Sequence, residues 1–537
     1  MRLLIAALDF GKLTSFFSFQ YLFLFLPAAV IAYAATPRAY KKYTLLLASM
    51  GFYYLIRRKF LIYLFPTILS VWGFGLWLGR LQKRRNVAVK AADKSERKAI
   101  KHRYMIRSRI VLSFSLLIHF GLLLVLKYSG FFLENANTLL GTHFPVVYFA
   151  VPVGISFFTL QAVSYLIDVF RGTLEADRNP LRLALFISFF PQIVEGPICR
   201  YSQTAHQLWD AKPITWDNLT MGLQRILYGM MKKVVIADRL NAFIDVVFSG
   251  HEKYQGGIIA IAAVCYTIQL YMDFSGAMDA VTGTAQIFGI TMPENFQRPF
   301  FSKTISEFWS RWHISLGTWF KDYLFYPVTM SKSMKNLTGF ARKKIGNYYG
   351  PLLAGSIALF CVWLSNGLWH GAGWSYIFFG MYHFALILTG SLIAPAAKRF
   401  HSTFRITPEN RGFQIFQILR TCVLVVIGEL FFRAETLQIG ISMFYKMVTD
   451  FHFQSLNAEL LKKLTIDGKD FLIVGITLVI IFVISLLNER GICVREKLKE
   501  MPLVLRWAIL YLLIFYIITF GAYGAGYIPV DPMYANF

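Results

Sequence analysis

The run that decides the fold class of this chain lies near its C-terminal end and reads LVLRWAILYLLIFYIITF at Leu503–Phe520. Arg506 is its single charged residue. A helix of about 20 apolar residues spans a hydrocarbon layer roughly 30 Å thick, and in lipid it satisfies its own backbone hydrogen bonds. The run therefore predicts a membrane-spanning helix.

Similar apolar runs recur along the whole chain. Of the 537 residues, 56 % are hydrophobic, and the mean hydropathy is +0.50, which excludes an ordinary soluble protein. We predict an all-α polytopic membrane bundle of about 11 spans, because several runs are too short to cross a bilayer upright and are expected to be re-entrant or interfacial helices. The candidate runs are 16–34, 43–56, 60–79, 110–126, 146–169, 181–198, 258–272, 352–364, 374–392, 413–432, 471–487 and 503–520.

The charge of the chain is strongly basic, with a net charge of +26. The basic residues fall in short segments between apolar runs rather than on one amphipathic face, so we interpret them as topology signals and expect no nucleic-acid partner. Segment 80–109 has twelve Lys/Arg and two acidic residues, which predicts a cytoplasmic loop. Because no long linker or internal repeat is found, we predict one integral-membrane domain over residues 1–537.

The middle of the chain, 269–327, is apolar and aromatic but too charged for a lipid-facing helix. Thr304 and Glu307 fit a capping box that opens a helix, and Arg311 follows Glu307 at i+4. Such a helix would bring Trp309 close to His313. We interpret the segment as a buried or interfacial polar layer, whose charged and histidine residues are Asp273, Asp279, Glu294, Arg298, Glu307, Arg311, His313, Lys321 and Asp322.

The strongest candidate for chemistry lies at 365–374, which reads SNGLWHGAGW. His370 can titrate near neutrality, and the glycines around it permit close approach of other backbones or a ligand. Asn366 would share its helix face and could donate to an oxyanion. Two other interpretations compete: a core histidine bonded to a carbonyl, and glycine spacing at Gly367 and Gly371 that serves only helix packing.

Other polar residues in apolar surroundings are weaker candidates. His313 is equally explained as an interfacial residue of an aromatic belt. His119 and His383 are interpreted as structural. Glu195 lies at a predicted helix break, which lines a cavity or simply ends a span.

No nucleophile elbow, phosphate-binding glycine loop or metal cluster is found in the sequence, and the five cysteines are scattered singly, which is typical of packing residues. What remains is a histidine base in a pocket that excludes water. Such a site suits acyl transfer from a thioester to a hydroxyl, since water would compete as the nucleophile. From the residues alone, proton-coupled transport stays an open alternative.

A series of motifs in chain order resembles the membrane-bound O-acyltransferase family, and within it the bacterial alginate O-acetyltransferase branch. The motifs are YLFLFLP at 21–27, VPVGISFFTLQ at 151–161, FFPQIVEGPI at 189–198, MDFSG at 272–276, PENFQRPF at 293–300, FWSRWHISL at 308–316, GLWHGAGW at 367–374 and FFRA at 431–434. One departure follows Tyr326 and Pro327, where the branch commonly has a Gly-Gly turn and this chain has VTMSK.

The resemblance implies a helical bundle around a central tunnel, with His370 at the position of the family's intramembrane catalytic histidine and His313 at that of the second histidine. It implies a cytosolic thioester donor, expected to be acetyl-CoA, and no tightly bound cofactor or metal. The acceptor is expected to be an exported or cell-surface polysaccharide, or an extracellular partner protein that passes the acetyl group onward. The expected location is the bacterial plasma membrane, in contact with its lipids.

We therefore expect an O-acyltransferase with His370 and His313 as its catalytic residues. The expected substrate-binding residues are Asn366, Trp369, Trp374, Glu195, Asp273, Arg298 and Arg311. Two alternatives remain, namely D-alanyl transfer to teichoic acid from a carrier protein and a lipid or glycan transporter without covalent chemistry. Inverted repeats around the site would favour a transporter, and none is found in the sequence.

Overall fold

The computed structural model describes residues 13–405, 407, 409–453, 460, 463–523 and 529–530. Within these ranges the chain is helical and has no β-strand, only an isolated bridge between Phe296 and Trp312. Among the described residues, eight helical stretches are long and apolar enough to cross a membrane. They are Arg38–Ala91, Arg97–Leu140, Gly256–Ile287, Lys332–His370, Trp374–Thr403, Arg411–Arg433, Gly468–Glu489 and Leu503–Phe520. The predicted fold class, all-α and polytopic, is confirmed.

The chain divides into two compact units. The first comprises the described residues within Met1–Ile226 and Ala277–Pro293, and the second those within Leu227–Gly276 and Glu294–Val530. The helices of the first unit are α1 (Gln20–Ala35), α2 (Lys41–Arg57), α3 (Leu61–Ala91), α4 (Arg97–Leu140), α5 (Ile155–Arg171), α6 (Pro180–Ser188), α7 (Phe190–Ile193) and α8 (Tyr201–Asp210). Helices α9 (Trp216–Met230) and α11 (Gly256–Ile287) contribute residues to both units.

The second unit contains the remaining helices of the described part of the chain. They are α10 (Asp238–Ser249), α12 (Ile305–Arg311), α13 (Ile314–Phe320), α14 (Tyr326–Thr329), α15 (Lys332–His370), α16 (Trp374–Thr403), α17 (Arg411–Arg433), α18 (Leu437–Thr449), α19 (Gly468–Glu489), α20 (Val494–Glu500) and α21 (Leu503–Phe520). A π-helical segment, Met231–Ala237, precedes α10. Helix α15 has a non-helical residue at Gly346 and is continuous from there to His370.

The first unit contains the broken segment predicted at 181–198. Helix α6 ends at Ser188, and α7 is a single turn with a proline in its first turn. The Gln192 amide donates to the Phe186 carbonyl at 2.5 Å, which caps the break. Gly154 has a φ of +76°, and a Cβ there would lie 1.9 Å from the Ile193 carbonyl oxygen, so this contact between α5 and α7 requires glycine. The prediction of a half-helix is confirmed.

Two sequence predictions in this unit are corrected. Segment 80–109 is not a loop, because α3 continues to Ala91 and α4 begins at Arg97. Lys, Arg and Ala are strong helix formers, so basic residues beyond an apolar run extend its helix. An excess of basic residues indicates on which side of the membrane a segment lies, and it does not predict that the segment is a loop. The run 146–169 is helical only from Ile155, because Pro152 and the left-handed Gly154 precede that helix.

Buried ion pairs hold the π-helical segment of the second unit. Lys233 Nζ lies 2.7 Å from Asp273 Oδ1 and 3.0 Å from Asp238 Oδ1, and it donates to the Val530 carbonyl at 2.6 Å. The Val530 N–H in turn donates to Asp238 at 2.8 Å. The lysine and both aspartates are buried, so each charge depends on its partners.

We expect Lys233→Met to destabilise the protein strongly, because it leaves two carboxylates buried without their cation. Breaking a buried ion pair from one side costs about 3–5 kcal/mol. Thermal unfolding of the purified protein in detergent measures this. Lys335→Met, at an exposed lysine of α15, is the matched control and should unfold at the wild-type temperature. Equal unfolding temperatures for the two variants would contradict the structural role of Lys233.

Candidate active site

The candidate site is built on a short antiparallel pairing in the second unit. The Gln297 N–H donates to the Arg311 carbonyl at 2.9 Å, and the Ile314 N–H donates to the Asn295 carbonyl at 3.0 Å. These bonds bracket the bridge between Phe296 and Trp312. They fix the two-residue junction between α12 and α13, where His313 lies.

His313 is held in one orientation and one protonation state. Its φ of +45° is rare for a residue with a side chain, and the flanking pairing maintains it. Its Nδ1 lies 3.3 Å from Asn295 Oδ1, which also accepts from the N–H and the hydroxyl of Ser315 at 3.0 and 2.9 Å. Because Oδ1 accepts, the imidazole proton is assigned to Nδ1. Burial lowers the pKa of His313 to about 3, so the ring is neutral.

His370 is the last residue of α15, and Asn366 lies one turn before it, as predicted. Both side chains are buried. The ring of His370 packs edge-on against Phe432, with centroids 5.1 Å apart, and against Phe379 at 6.0 Å. Asn366 Oδ1 has no hydrogen-bond partner in the described part of the chain, the condition expected of a side chain that binds a ligand.

The glycines before and after His370 permit a close crossing of α15 and α16. A Cβ on Gly367 would lie 2.5 Å from the Tyr376 carbonyl oxygen, and one on Gly371 would lie 2.2 Å from the Tyr376 ring. Real Cβ atoms do not approach so closely, so both positions require glycine. The close helix packing that the spacing of Gly367 and Gly371 indicates is therefore present, and the same packing places His370 at the end of α15 beside α16.

His313, Asn366 and His370 line one cavity of about 60 Å³. Its other walls are Trp309, Trp312, Leu316, Gly317, Phe320, Val362 and Trp363. The predicted proximity of Trp309 to His313 holds, although α12 ends at Arg311 and the two residues are not on one helix. The cavity offers two imidazoles and one amide in largely apolar surroundings, which suit proton transfer away from bulk water.

The structure places the other predicted site residues differently. Trp369 is buried with its ring 5.7 Å from that of His313, behind the cavity wall. Trp374 is 55 % exposed at the start of α16 and does not line the cavity. Asp273 forms the ion pair with Lys233. Glu195 is buried and belongs to the first unit. Their roles in substrate binding remain predictions.

Arg298 and Arg311 lie in an ion-pair network with Glu489. Arg298 contacts Glu489 at 2.5 Å, and Arg311 contacts Glu489 and Glu307 at 2.9 Å each, so the predicted pair of Glu307 with Arg311 is confirmed. Thr304 accepts from the Glu307 N–H at 3.1 Å as the predicted cap, but the carboxylate accepts from the Lys303 N–H instead of returning to Thr304. Because Glu489 pairs with both arginines, a role of either arginine in substrate binding depends on Glu489.

Sequence reasoning missed Asn295 and Glu489 as residues that organise the site. Asn295 fixes the tautomer of His313, and its only sequence signal is its place in the PENFQRPF motif at 293–300. Glu489 is far along the chain at the end of α19, so no sequence pattern around it predicts its contacts with Arg298 and Arg311. Both contacts arise from tertiary packing.

Comparison with known proteins identifies the family. The family model described as MBOAT, membrane-bound O-acyltransferase family, matches residues 174–342. The chain is also similar to the probable alginate O-acetylase AlgI of Pseudomonas aeruginosa, with 32 % identity over 436 residues, 80 % of this chain and 74 % of the relative. This chain is a membrane-bound O-acyltransferase.

Two further relatives show the range of this O-acyltransferase family. The peptidoglycan O-acetyltransferase of Helicobacter pylori is 29 % identical, covering 84 % of this chain and 82 % of the relative. The teichoic acid D-alanyltransferase of Bacillus subtilis is 31 % identical but covers only 53 % of this chain and 69 % of the relative. As an O-acyltransferase with eight candidate spans in the part of the chain that the structure describes, the protein is a multi-pass membrane enzyme.

We expect Gly371→Ala to lower acyl transfer about tenfold, because its Cβ would displace the Tyr376 ring and with it the end of α15. Overpacking of this kind costs about 1–3 kcal/mol. Gly373→Ala is the matched control, since a Cβ there would lie 3.5 Å from the same ring, an ordinary contact. Transfer rates and thermal unfolding of both variants check the expectation, and equal rates would contradict it.

Proposed function

We propose that the enzyme moves an acetyl group from a cytosolic thioester, through an intramembrane tunnel, to a hydroxyl of an exported or cell-surface polysaccharide. Transfer is direct or passes through an extracellular partner protein. The proposed cellular location is the bacterial plasma membrane, with segment 80–109 on the cytoplasmic side. The observation that carries the proposal is the cavity shared by His313, Asn366 and His370, inside an enzyme similar to polysaccharide and peptidoglycan O-acetyltransferases.

In this mechanism His370 is the general base. It takes the proton of the acceptor hydroxyl as that oxygen attacks the thioester carbonyl carbon. The Asn366 amide donates to the oxyanion of the tetrahedral intermediate. When the intermediate collapses, the C–S bond breaks, and the thiolate takes the proton from His370. The products are the O-acetyl ester and the free thiol, and His370 is neutral again.

His313 has a positioning role in this scheme. With its proton on Nδ1 and bonded to Asn295, its Nε2 is an acceptor. It accepts a hydrogen bond from the acceptor and orients the reacting hydroxyl towards His370. Its low pKa keeps it neutral throughout the physiological range, so it adds no titration of its own to the pH dependence.

The donor is proposed to be acetyl-CoA, with no tightly bound cofactor. The first unit has a groove of about 1070 Å³ whose lining includes Arg80, Lys83, Arg178 and Arg182. Arg182 is held by Asp177, with contacts of 2.5 and 2.8 Å, so its guanidinium is fixed in place. Charged side chains in a concave surface suit the phosphates of a nucleotide donor.

The alternatives have less support. The teichoic acid D-alanyltransferase of Bacillus subtilis aligns with 53 % of this chain, against 84 % for the peptidoglycan O-acetyltransferase of Helicobacter pylori. Transport without chemistry would not require the two buried histidines and the amide to share one cavity.

We expect His370→Ala to reduce acetyl transfer at least about 100-fold, because a general base contributes roughly 10²–10⁴. Purified enzyme is incubated with radiolabelled acetyl-CoA and candidate polysaccharides, with and without extracellular partner proteins. His102→Ala, at an exposed histidine of α4, is the control. Size-exclusion profiles and thermal unfolding should match the wild type. Retained transfer by the His370 variant would refute the proposed mechanism.

We expect the double variant Arg80→Glu and Lys83→Glu to raise the KM for acetyl-CoA about tenfold or more with little change in kcat, because hydrogen bonds to charged groups contribute about 1.5–3 kcal/mol. The control is Lys398→Glu with Arg399→Glu at the end of α16, which reverses the same charge elsewhere. If both double variants have the same KM, the groove does not bind the donor.

A further inference from the structure

His383 lies outside the cavity and contacts its wall. It is completely buried in α16, and its Nδ1 accepts from the Trp309 indole N–H at 3.2 Å. Trp309 lines the cavity, whereas His383 does not. Because Nδ1 accepts this hydrogen bond, the ring proton of a neutral His383 lies on Nε2. A hydrogen bond from this half-buried indole to a completely buried imidazole fixes the orientation of the larger ring.

The surroundings of His383 allow it one position. Its ring lies 30° from parallel to Trp363, with centroids 5.5 Å apart, and edge-on to Phe379 at 4.7 Å. A Cβ on Gly428 would lie 2.7 Å from Nε2, so a glycine of α17 makes room for the ring. Nε2 itself has no hydrogen-bond partner among the residues that the structure describes. Within the described residues, the hydrogen bond of the His383 ring is therefore the one that it accepts from Trp309.

Trp309 and Trp363 together form the indole wall of the cavity. Their rings meet edge-to-face with centroids 5.0 Å apart, and both contact His383. The cavity they bound, about 60 Å³, accommodates a few water-sized groups at roughly 10–15 Å³ each. An acetyl group has three non-hydrogen atoms, and a butyryl group has two more methylenes that would meet the indole wall.

We propose that this indole wall selects acetyl over longer acyl groups, and that His383 is the positioning residue that holds the wall closed. The inference rests on the proposed function, because it takes the acyl group of the donor to occupy the cavity beside His370. A histidine suits the position better than an apolar residue of similar size. Without the Nδ1 acceptor, the indole N–H would lose the hydrogen bond that orients it, and the ring would be free to turn.

The test is the selectivity between acyl donors. Purified enzyme is assayed with acetyl-, propionyl- and butyryl-CoA, and the ratio of kcat/KM for butyryl to that for acetyl is compared among variants. His383→Leu, which removes the acceptor, should raise this ratio about tenfold. His383→Gln, whose amide oxygen can accept from the indole, should keep the ratio near the wild-type value. His401→Leu, on the same helix and away from the cavity, is the control.

A second variant acts on the wall directly. Trp309→Phe shortens the wall and removes the N–H, so it should also raise the ratio, and it decides the question if His383→Leu fails to fold. Unchanged ratios in both variants, or an equal loss with every donor, would overturn the inference and leave His383 as a packing residue. Absence of transfer by the wild-type enzyme from any acyl-CoA would instead refute the proposed function, so the two failures are distinguishable.

Discussion

A buried polar group in an apolar helical protein must find a partner within the protein, because no water replaces the hydrogen bonds it loses. This constraint explains most of the polar architecture of the second unit. Lys233 is placed between two aspartates and a backbone carbonyl, and Asn295 Oδ1 accepts from both His313 and Ser315. Each such cluster costs free energy to bury and is stable only when complete.

Buried polar atoms that lack a hydrogen-bond partner therefore indicate where a ligand could bind. Asn366 Oδ1 is buried in the cavity wall, and within the described ranges no group donates to it. A polar atom retained at such a cost beside His370 is what a ligand-binding site requires, since the substrate completes the hydrogen bonds. In the proposed mechanism the apolar walls exclude water, which would hydrolyse an activated acyl group.

Close helix packing determines where His370, the proposed general base, lies. The two glycines that flank His370 remove the side chains that would keep α16 away from α15, and Tyr376 fills the space. On the other side Phe432 of α17 packs against the imidazole. His370 thus packs against α16 and α17, and the contact of α15 with α16 depends on the absence of side chains at 367 and 371. These glycines therefore contribute to the candidate site through close packing rather than through flexibility.

The sequence by itself determined the fold class, the cap at Thr304, the pair of Glu307 with Arg311, and the helix face shared by Asn366 and His370. All of these depend on local periodicity and spacing, which the backbone geometry of a helix makes predictable. It failed at 80–109, where charge indicates sidedness and not conformation. Only the tertiary structure placed His313 and His370 on one cavity, assigned the tautomer of His313 through Asn295, connected Glu489 to two arginines, and positioned His383 behind Trp309. These contacts join residues far apart in the chain, and they are decided by which helices pack together, a property that no local pattern encodes.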